Sequence, residues 1–348
     1  MPEALILGAG GFLGLHALDA LRALGEEPRC GRRARSNVLG LRSRKARMAS
    51  ADLDDEASLV EAMRGCDRVL HLAGHYPRTS LDPATATRTG LEQSRRVLNA
   101  AAAAGVQRLV YVSSTATVAP NPEGLSDERH SYPSPPSHGL YHALKWQMER
   151  LFLDEQRFEV RVACPSGCLG PGDLRVGTSA LLIALARGMD PPPPDGTVAL
   201  VDARDVGQGL ARLLLAERAP KRLILSAENH RLHELLCSVA PRYGVPEPSP
   251  ALSAAEAIAR ADEEEARSVR ENRRPALSRE IVDLVVHGQP LSARLAEEQL
   301  GLRWTPLSQT LDALDAWARR LSLIPSAKDQ PPCSAPPTRP ASSASSPT

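Results

Sequence analysis

The chain has 348 residues, a length that fits about two domains, or one large domain with an appended lobe. Its 42 Lys+Arg against 41 Asp+Glu leave a formal charge of +1, which argues against a general polyanion binder, and 42% hydrophobic content is too high for a disordered chain. Aromatic residues make up 3%, and the lysines are just Lys45, Lys145, Lys221 and Lys328, so nearly all positive charge is arginine.

Ala4–Leu7 is a short apolar run ending at a glycine, which suits a buried parallel strand. Leu13–Leu24 repeats apolar residues at helical spacing and stops at Gly25. No basic region precedes it, and His16, Asp19 and Arg22 interrupt it. It therefore reads as neither a signal peptide nor a membrane span, and a cytoplasmic protein is expected. Asp54, Glu56 and the Leu59-Val60-Met63 spacing predict a capped helix. Arg68–Ala73 and Arg108–Ser113 read as strands, with an alanine-rich helix over Leu91–Ala104 between them. This alternation over residues 1–165 predicts an α/β fold with a doubly wound parallel sheet, because right-handed crossovers place helices on both faces.

Beyond Pro165 helix dominates. Leu232–Tyr243, Ala254–Arg270, Ser292–Leu300 and Ser308–Leu321 have helical patterns, with short strands at Val198–Val201 and Arg222–Ser226. A smaller, mainly helical substrate lobe is expected over 166–324, with later segments returning to the sheet, and a disordered Pro/Ser/Ala-rich tail over 325–348. The six cysteines include no Cys-x-x-Cys pair, and no His or Cys cluster beside Cys164 and Cys168 completes a zinc set, so free thiols and no metal are expected.

Gly8, Gly11 and Gly14 lie between the first strand and the first helix. Such a turn lets a pyrophosphate approach the backbone, and the helix N-terminus around Phe12 and Leu13 offers unpaired N–H groups and a positive dipole end. A carboxylate at the end of the second strand would favour NAD, but Cys30–Arg35 contains none. Arg32 and Arg33, with Arg35 beside them, can pair with a 2′-phosphate, so NADP(H) is expected over NAD(H). The further basic residues Arg42, Arg44, Lys45 and Arg47 read as a solvated face.

Tyr141 and Lys145 form Tyr-x-x-x-Lys, which places both on one face of a helix. In a chain so poor in both residues, roughly 0.06 such spacings are expected by chance. A nearby ammonium favours tyrosinate, so the phenol is expected to shift down towards working pH and to serve as general acid or base. Ser113-Ser114-Thr115 follows a strand at its C-terminal end, where ligands bind in open α/β sheets, and can polarise a substrate oxygen. His138 and His142 read as loop and helix-surface residues; Asp127, Glu128 and Asp173 read as turn and cap residues.

At these residues the chain resembles the extended short-chain dehydrogenase/reductase family, part of the NAD-dependent epimerase/dehydratase superfamily, from Ala4 to about Leu321. The resemblance implies a Rossmann-type sheet. It implies that Asp52-Leu53 contacts the adenine and that Ala73 and Gly74, in His71-Leu72-Ala73-Gly74, lie beside the cofactor with Ser113. It makes Thr115 the catalytic hydroxyl, with Ser114 the adjacent candidate, and makes Tyr141 and Lys145 both catalytic and cofactor-binding. Pro165 and Ser166 would pass the nicotinamide. Two departures stand out: Gly90 where many members have asparagine, and Asp202 where histidine is common.

The Pro-Ser-x-x-x-Gly-Pro-Gly-Asp stretch at 165–173 resembles the dihydroflavonol reductase and hydroxysteroid dehydrogenase branch. A carbonyl reductase or alcohol dehydrogenase for a small, largely apolar metabolite is therefore expected. The alternatives are a sugar-nucleotide epimerase or dehydratase with tightly bound NAD, and a non-catalytic NADP(H)-binding protein. Nucleic acid is not expected as a partner, because no aromatic platform accompanies the arginines. The resemblance implies a homodimer through the helices at Leu91–Ala104 and Tyr141–Leu153.

Overall fold

The computed structural model describes residues 3–76, 79–174 and 177–325; the expected tail lies, apart from Pro325, outside them. The chain begins with β1 (Glu3–Leu7) and turns through glycines into α1 (Phe12–Ala23). It continues through β2 (Arg29–Arg32), α2 (Leu39–Ser43), β3 (Met48–Ser50), α3 (Glu56–Met63), β4 (Cys66–His71), α4 (Pro83–Ala103) and β5 (Arg108–Val112). A 3-10 turn at Thr115–Thr117 then leads towards α5 (Leu140–Leu153) and β6 (Glu159–Pro165).

Two helix starts differ from the sequence reading. The cap of α3 is Asp55, not Asp54: its side chain accepts from Ser58 N at 3.2 Å. The start of α4 lies well before Leu91, because Asp82 accepts from Thr85 N at 3.1 Å and Pro83 sits in the first turn, where its missing N–H costs nothing. Gly90 is therefore inside α4 rather than at its opening. A Cβ there would lie 2.8 Å from Leu144 Cδ1 and 3.3 Å from Met148 Sδ, so the glycine sets how closely α4 approaches α5.

The rest of the chain forms β7 (Gly167–Leu169), α6 (Ala180–Ala186), β8 (Thr197–Asp202), α7 (Ala203–Leu215), β9 (Arg222–Leu225) and β10 (Glu228–Arg231). Five helices close it: α8 (Leu232–Tyr243), α9 (Ala254–Arg270), α10 (Arg279–Val286), α11 (Arg294–Leu300) and α12 (Leu307–Arg320). The main sheet has seven parallel strands in the order β3-β2-β1-β4-β5-β6-β9. The strand expected at Arg222–Ser226 thus joins this sheet, pairing Ala163 with Leu223 and Cys164 with Ile224. A second sheet, β10-β8-β7, belongs to the later part of the chain.

Alternation along the strands divides the core. Leu5, Leu7, Val69, Leu109 and Tyr111 face α3, α4 and α5, whereas Ile6, Leu70 and Val110 face α1 and α7. A third cluster, with Leu182, Leu235, Leu236, Val239 and Trp317, fills the lobe. Among the described residues no helix is long and apolar enough to cross a membrane, no group of three or more His, Cys, Asp or Glu could hold a metal ion, and five cysteines are free.

Candidate active site

The strand order reverses beside β1, and the glycine turn lies at that strand's C-terminal end, where open α/β sheets bind ligands. Gly8 has φ +87°, and a Cβ on it would lie 2.8 Å from Ala73 N. On Gly14 a Cβ would lie 2.3 Å from the Gly8 carbonyl oxygen, so α1 packs on the turn only because Gly14 lacks a side chain, just as Gly8 lets the segment after β4 approach. Gly11 caps α1 without a side-chain bond, leaving the first-turn N–H groups of Phe12, Leu13 and Gly14 to a ligand or water. Segment 170–173 folds back over this entrance: His16 Nε2 meets Pro171 O at 2.9 Å, and Gly172 approaches the Phe12 ring.

The other predicted cofactor residues fall around the same edge. Ala73 N donates to Leu7 O at 3.1 Å, and Gly74 follows it close to Met148. Asp52 accepts from Asp54 N at 3.1 Å and its own N–H donates to Ser58, while Leu53 is buried in the core. Arg32 ends β2, and Arg33 follows in a turn closed by Ser36 Oγ. Arg29 and Arg47 pair with Glu3, and Arg44 pairs with Asp19, so part of the basic stretch is neutralised. Among the described residues no carboxylate pairs with Arg32, Arg33 or Arg35. Pro165 ends β6, and the buried Ser166 hydroxyl has no partner. Open N–H groups, unneutralised arginines and that orphaned hydroxyl suit a dinucleotide laid along the strand ends.

Tyr141 and Lys145 occupy successive turns of α5, facing the end of β5. The Ser114 side chain lies next to the phenol and favours its ionised form. Thr115 instead opens the 3-10 turn, so Ser114 is the hydroxyl that the fold brings to Tyr141. Ser113, on the opposite face, gives its hydroxyl to Glu149 Oε2 at 2.5 Å, which ties that side chain to the network beneath the site. The Lys145 ammonium donates to Val112 O at 3.4 Å and lies 6.0 Å from the Tyr141 ring centroid.

The expected fall in the tyrosine pKa is not what the environment gives. Burial raises the phenol to about 12, with the Ser114 hydrogen bond pulling the other way. The same burial lowers Lys145 to about 8, against the attraction of Glu149. Tyr141 is thus held as a protonated phenol, a proton donor rather than a standing base.

Sequence reasoning missed three groups here. His142 is not a surface residue: it is buried, its ring 4.8 Å from that of His138, and His287 at the end of α10 lies 4.1 Å from His138. The lobe's docking on α5 covers a helix face that periodicity alone leaves to solvent. The Tyr76 ring lies 5.0 Å from Tyr141. Glu149 and Arg222 form a buried ion pair at 2.8 Å; the spacing of Glu149 from Lys145 was readable in the sequence, its partner on β9 was not. Asp127 and Asp173 do close turns, Asp127 accepting from Arg129 N and Asp173 from Gly177 N, while Glu128 bonds Ile224 N. Asp202 caps α7 through Arg204 N and receives Thr310 Oγ1.

Comparison with known proteins identifies the family and the fold. Residues 4–223 match the model of the NAD dependent epimerase/dehydratase family. The chain is 27% identical over 322 residues to a putative dihydroflavonol 4-reductase of Synechocystis sp., covering 90% of this chain and 93% of that one. It is 30% identical over 263 residues to cinnamoyl-CoA reductase 1 of Oryza sativa, covering 68% and 76%. A solved nucleoside-diphosphate-sugar epimerase from Pseudomonas aeruginosa superposes with a TM-score of 0.77 at 27% identity, covering 93% of this chain and 99% of that one.

Proposed function

The chain belongs to the NAD dependent epimerase/dehydratase family, and within it we propose an NAD(P)-dependent carbonyl reductase or alcohol dehydrogenase for a largely apolar small metabolite. The observation that carries this reading is the buried Tyr141 phenol against Ser114, with Lys145 one turn behind it. A nicotinamide cofactor, when bound, supplies or accepts the hydride. Tyr141 donates its proton to the substrate oxygen in reduction, and Ser114 holds that oxygen. Lys145 supports the phenol and holds a cofactor ribose hydroxyl. Gly8, Gly11 and Gly14 admit the pyrophosphate to the N-terminus of α1, Ser166 faces the nicotinamide end, and Arg32 and Arg33 favour a 2′-phosphate and hence NADP(H).

Relatives named as reductases favour this reading over epimerisation. The structural neighbour named as a sugar epimerase keeps a second reading open, in which tightly held NAD oxidises and re-reduces a nucleotide sugar. A screen of NADPH oxidation against ketones and quinones, run beside UDP-sugars, separates the two. Turnover of a carbonyl with exchangeable NADPH supports the reductase; co-purified NAD with UDP-sugar conversion overturns it.

A further inference from the structure

Tyr141, Lys145 and Glu149 lie four residues apart along α5, so the three side chains follow one stripe of the helix. Glu149 is 3% exposed, yet its carboxylate is fully engaged. Oε2 accepts from Ser113 Oγ at 2.5 Å and Thr117 Oγ1 at 2.6 Å, and Oε1 accepts from Arg222 Nε at 2.8 Å. Arg222 is itself fixed from behind. It donates to the Thr117 carbonyl at 3.0 Å and to the Glu128 carbonyl at 3.1 Å. The two charges meet at the end of β5: the ammonium donates to Val112 O at 3.4 Å, while the carboxylate is held by the next residue, Ser113, by Thr117 and by Arg222 of β9.

We propose that Glu149 is a positioning residue whose charge, fixed by Ser113 and Thr117 and partly offset by Arg222, keeps the Lys145 ammonium charged and in place behind Tyr141. The proposal rests on the acid–base reading of Tyr141 and Lys145. An ammonium partly withdrawn from bulk water tends to lose its proton, and a fixed carboxylate opposes that loss. The other groups around Lys145 do not supply this charge. Tyr111 presents its ring 5.4 Å from the ammonium, its hydroxyl kept protonated by burial. Burial also drives the Cys164 thiol up to about 12, and His71 down to about 3, so both stay neutral near pH 7. Tyr141 stays a phenol. Arg222 is the cation paired with Glu149 among the described residues, and its charge tempers the pull of the carboxylate.

The scarcity of lysine makes the test direct. Isotope-labelling the lysine side chains of the full-length protein gives four titrating signals, and Lys145→Arg identifies the one from Lys145. In the wild-type chain that signal should titrate below the usual lysine range, at about 8. Glu149→Gln keeps the shape of the side chain and removes the charge, and lowers the midpoint by about one unit or more. Arg222→Gln, which frees the carboxylate of its cation, moves the midpoint upwards. Opposite signs are the signature of charge, because loosened packing alone would shift both variants the same way. If Glu149→Gln does not fold, the upward shift in Arg222→Gln stands as the test by itself. An unchanged midpoint in either folded variant, or a shift of the same sign in both, overturns the proposal. The titration is read without substrate or turnover, whereas Tyr141→Phe kinetics judge the acid–base reading, so the two failures are separable.

Discussion

A Cβ placed on Gly14 would sit 2.3 Å from the carbonyl oxygen of Gly8. No rotamer relieves that clash, because both partners are backbone. Gly14→Ala must therefore lift α1 off the turn, at a cost of roughly 1–3 kcal/mol typical of overpacking. Thermal unfolding should show the loss, and NADPH titration should show at least a tenfold weaker dissociation constant. Unchanged binding with unchanged melting would remove the phosphate role given to this turn.

Tyr141→Phe keeps the ring and deletes the proton. Once a carbonyl substrate is found, kcat should fall by about 10²–10⁴, with the dissociation constant of NADPH preserved. Ser114→Ala should also lower kcat, while Thr115→Ala should matter less, since it is the Ser114 side chain that acts on the phenol. Comparable rates for Ser114→Ala and wild type would return the role to Thr115.

Arg32 and Arg33 bear on cofactor choice. Replacing both with alanine should weaken NADPH binding by about tenfold to a hundredfold, the worth of charge-assisted hydrogen bonds at roughly 1.5–3 kcal/mol, and leave NADH little affected. Equal losses for the two cofactors would mean that the arginines act on the phosphates common to both, or on the fold.

His142 predicts an acid response. Burial lowers it to about 3, with His138 and His287 opposing its protonation as well. It folds as the neutral ring, so its contribution is complete above its ordinary value near 6.5 and drains away as pH falls from there towards 3. Asp283, paired with Arg279 at 2.9 Å on the facing helix α10, favours protonation of the neighbouring His138 and His287. Denaturant midpoints measured across that range should fall less steeply for His142→Gln than for wild type. Parallel curves would place the acid sensitivity elsewhere.

Much of the site could be read before any fold was known, because local spacing encodes it. The Gly8/Gly11/Gly14 turn, the Tyr141–Lys145 pair and the helix ranges of α8 and α9 each depend on residues close in sequence. What escaped the sequence is long-range. Arg222 reaches Glu149 across 73 positions, and Ser80 meets the buried Glu265 and Glu280 from α9 and α10 across 185 and 200 positions. The exposure of His142 was misjudged for the same reason: a helix periodicity states which face is apolar, not which later element covers the other one. The different settings of Ser114 and Thr115 arise from the 3-10 turn, a local backbone detail that motif counting does not resolve.

The place of β9 in the sheet has a consequence for how the protein is made. When β6 leaves the ribosome its far edge is unpaired, and it remains so while some sixty further residues are synthesised, from Pro165 to Leu225. That edge is apolar, with Val160, Val162, Ala163 and Cys164 all buried once folding is complete. During that interval the nascent chain carries an open strand edge of the kind that recruits wrong partners, and Glu149 waits without its arginine. The order of synthesis thus leaves one edge of β6 open until the chain has been made as far as Leu225.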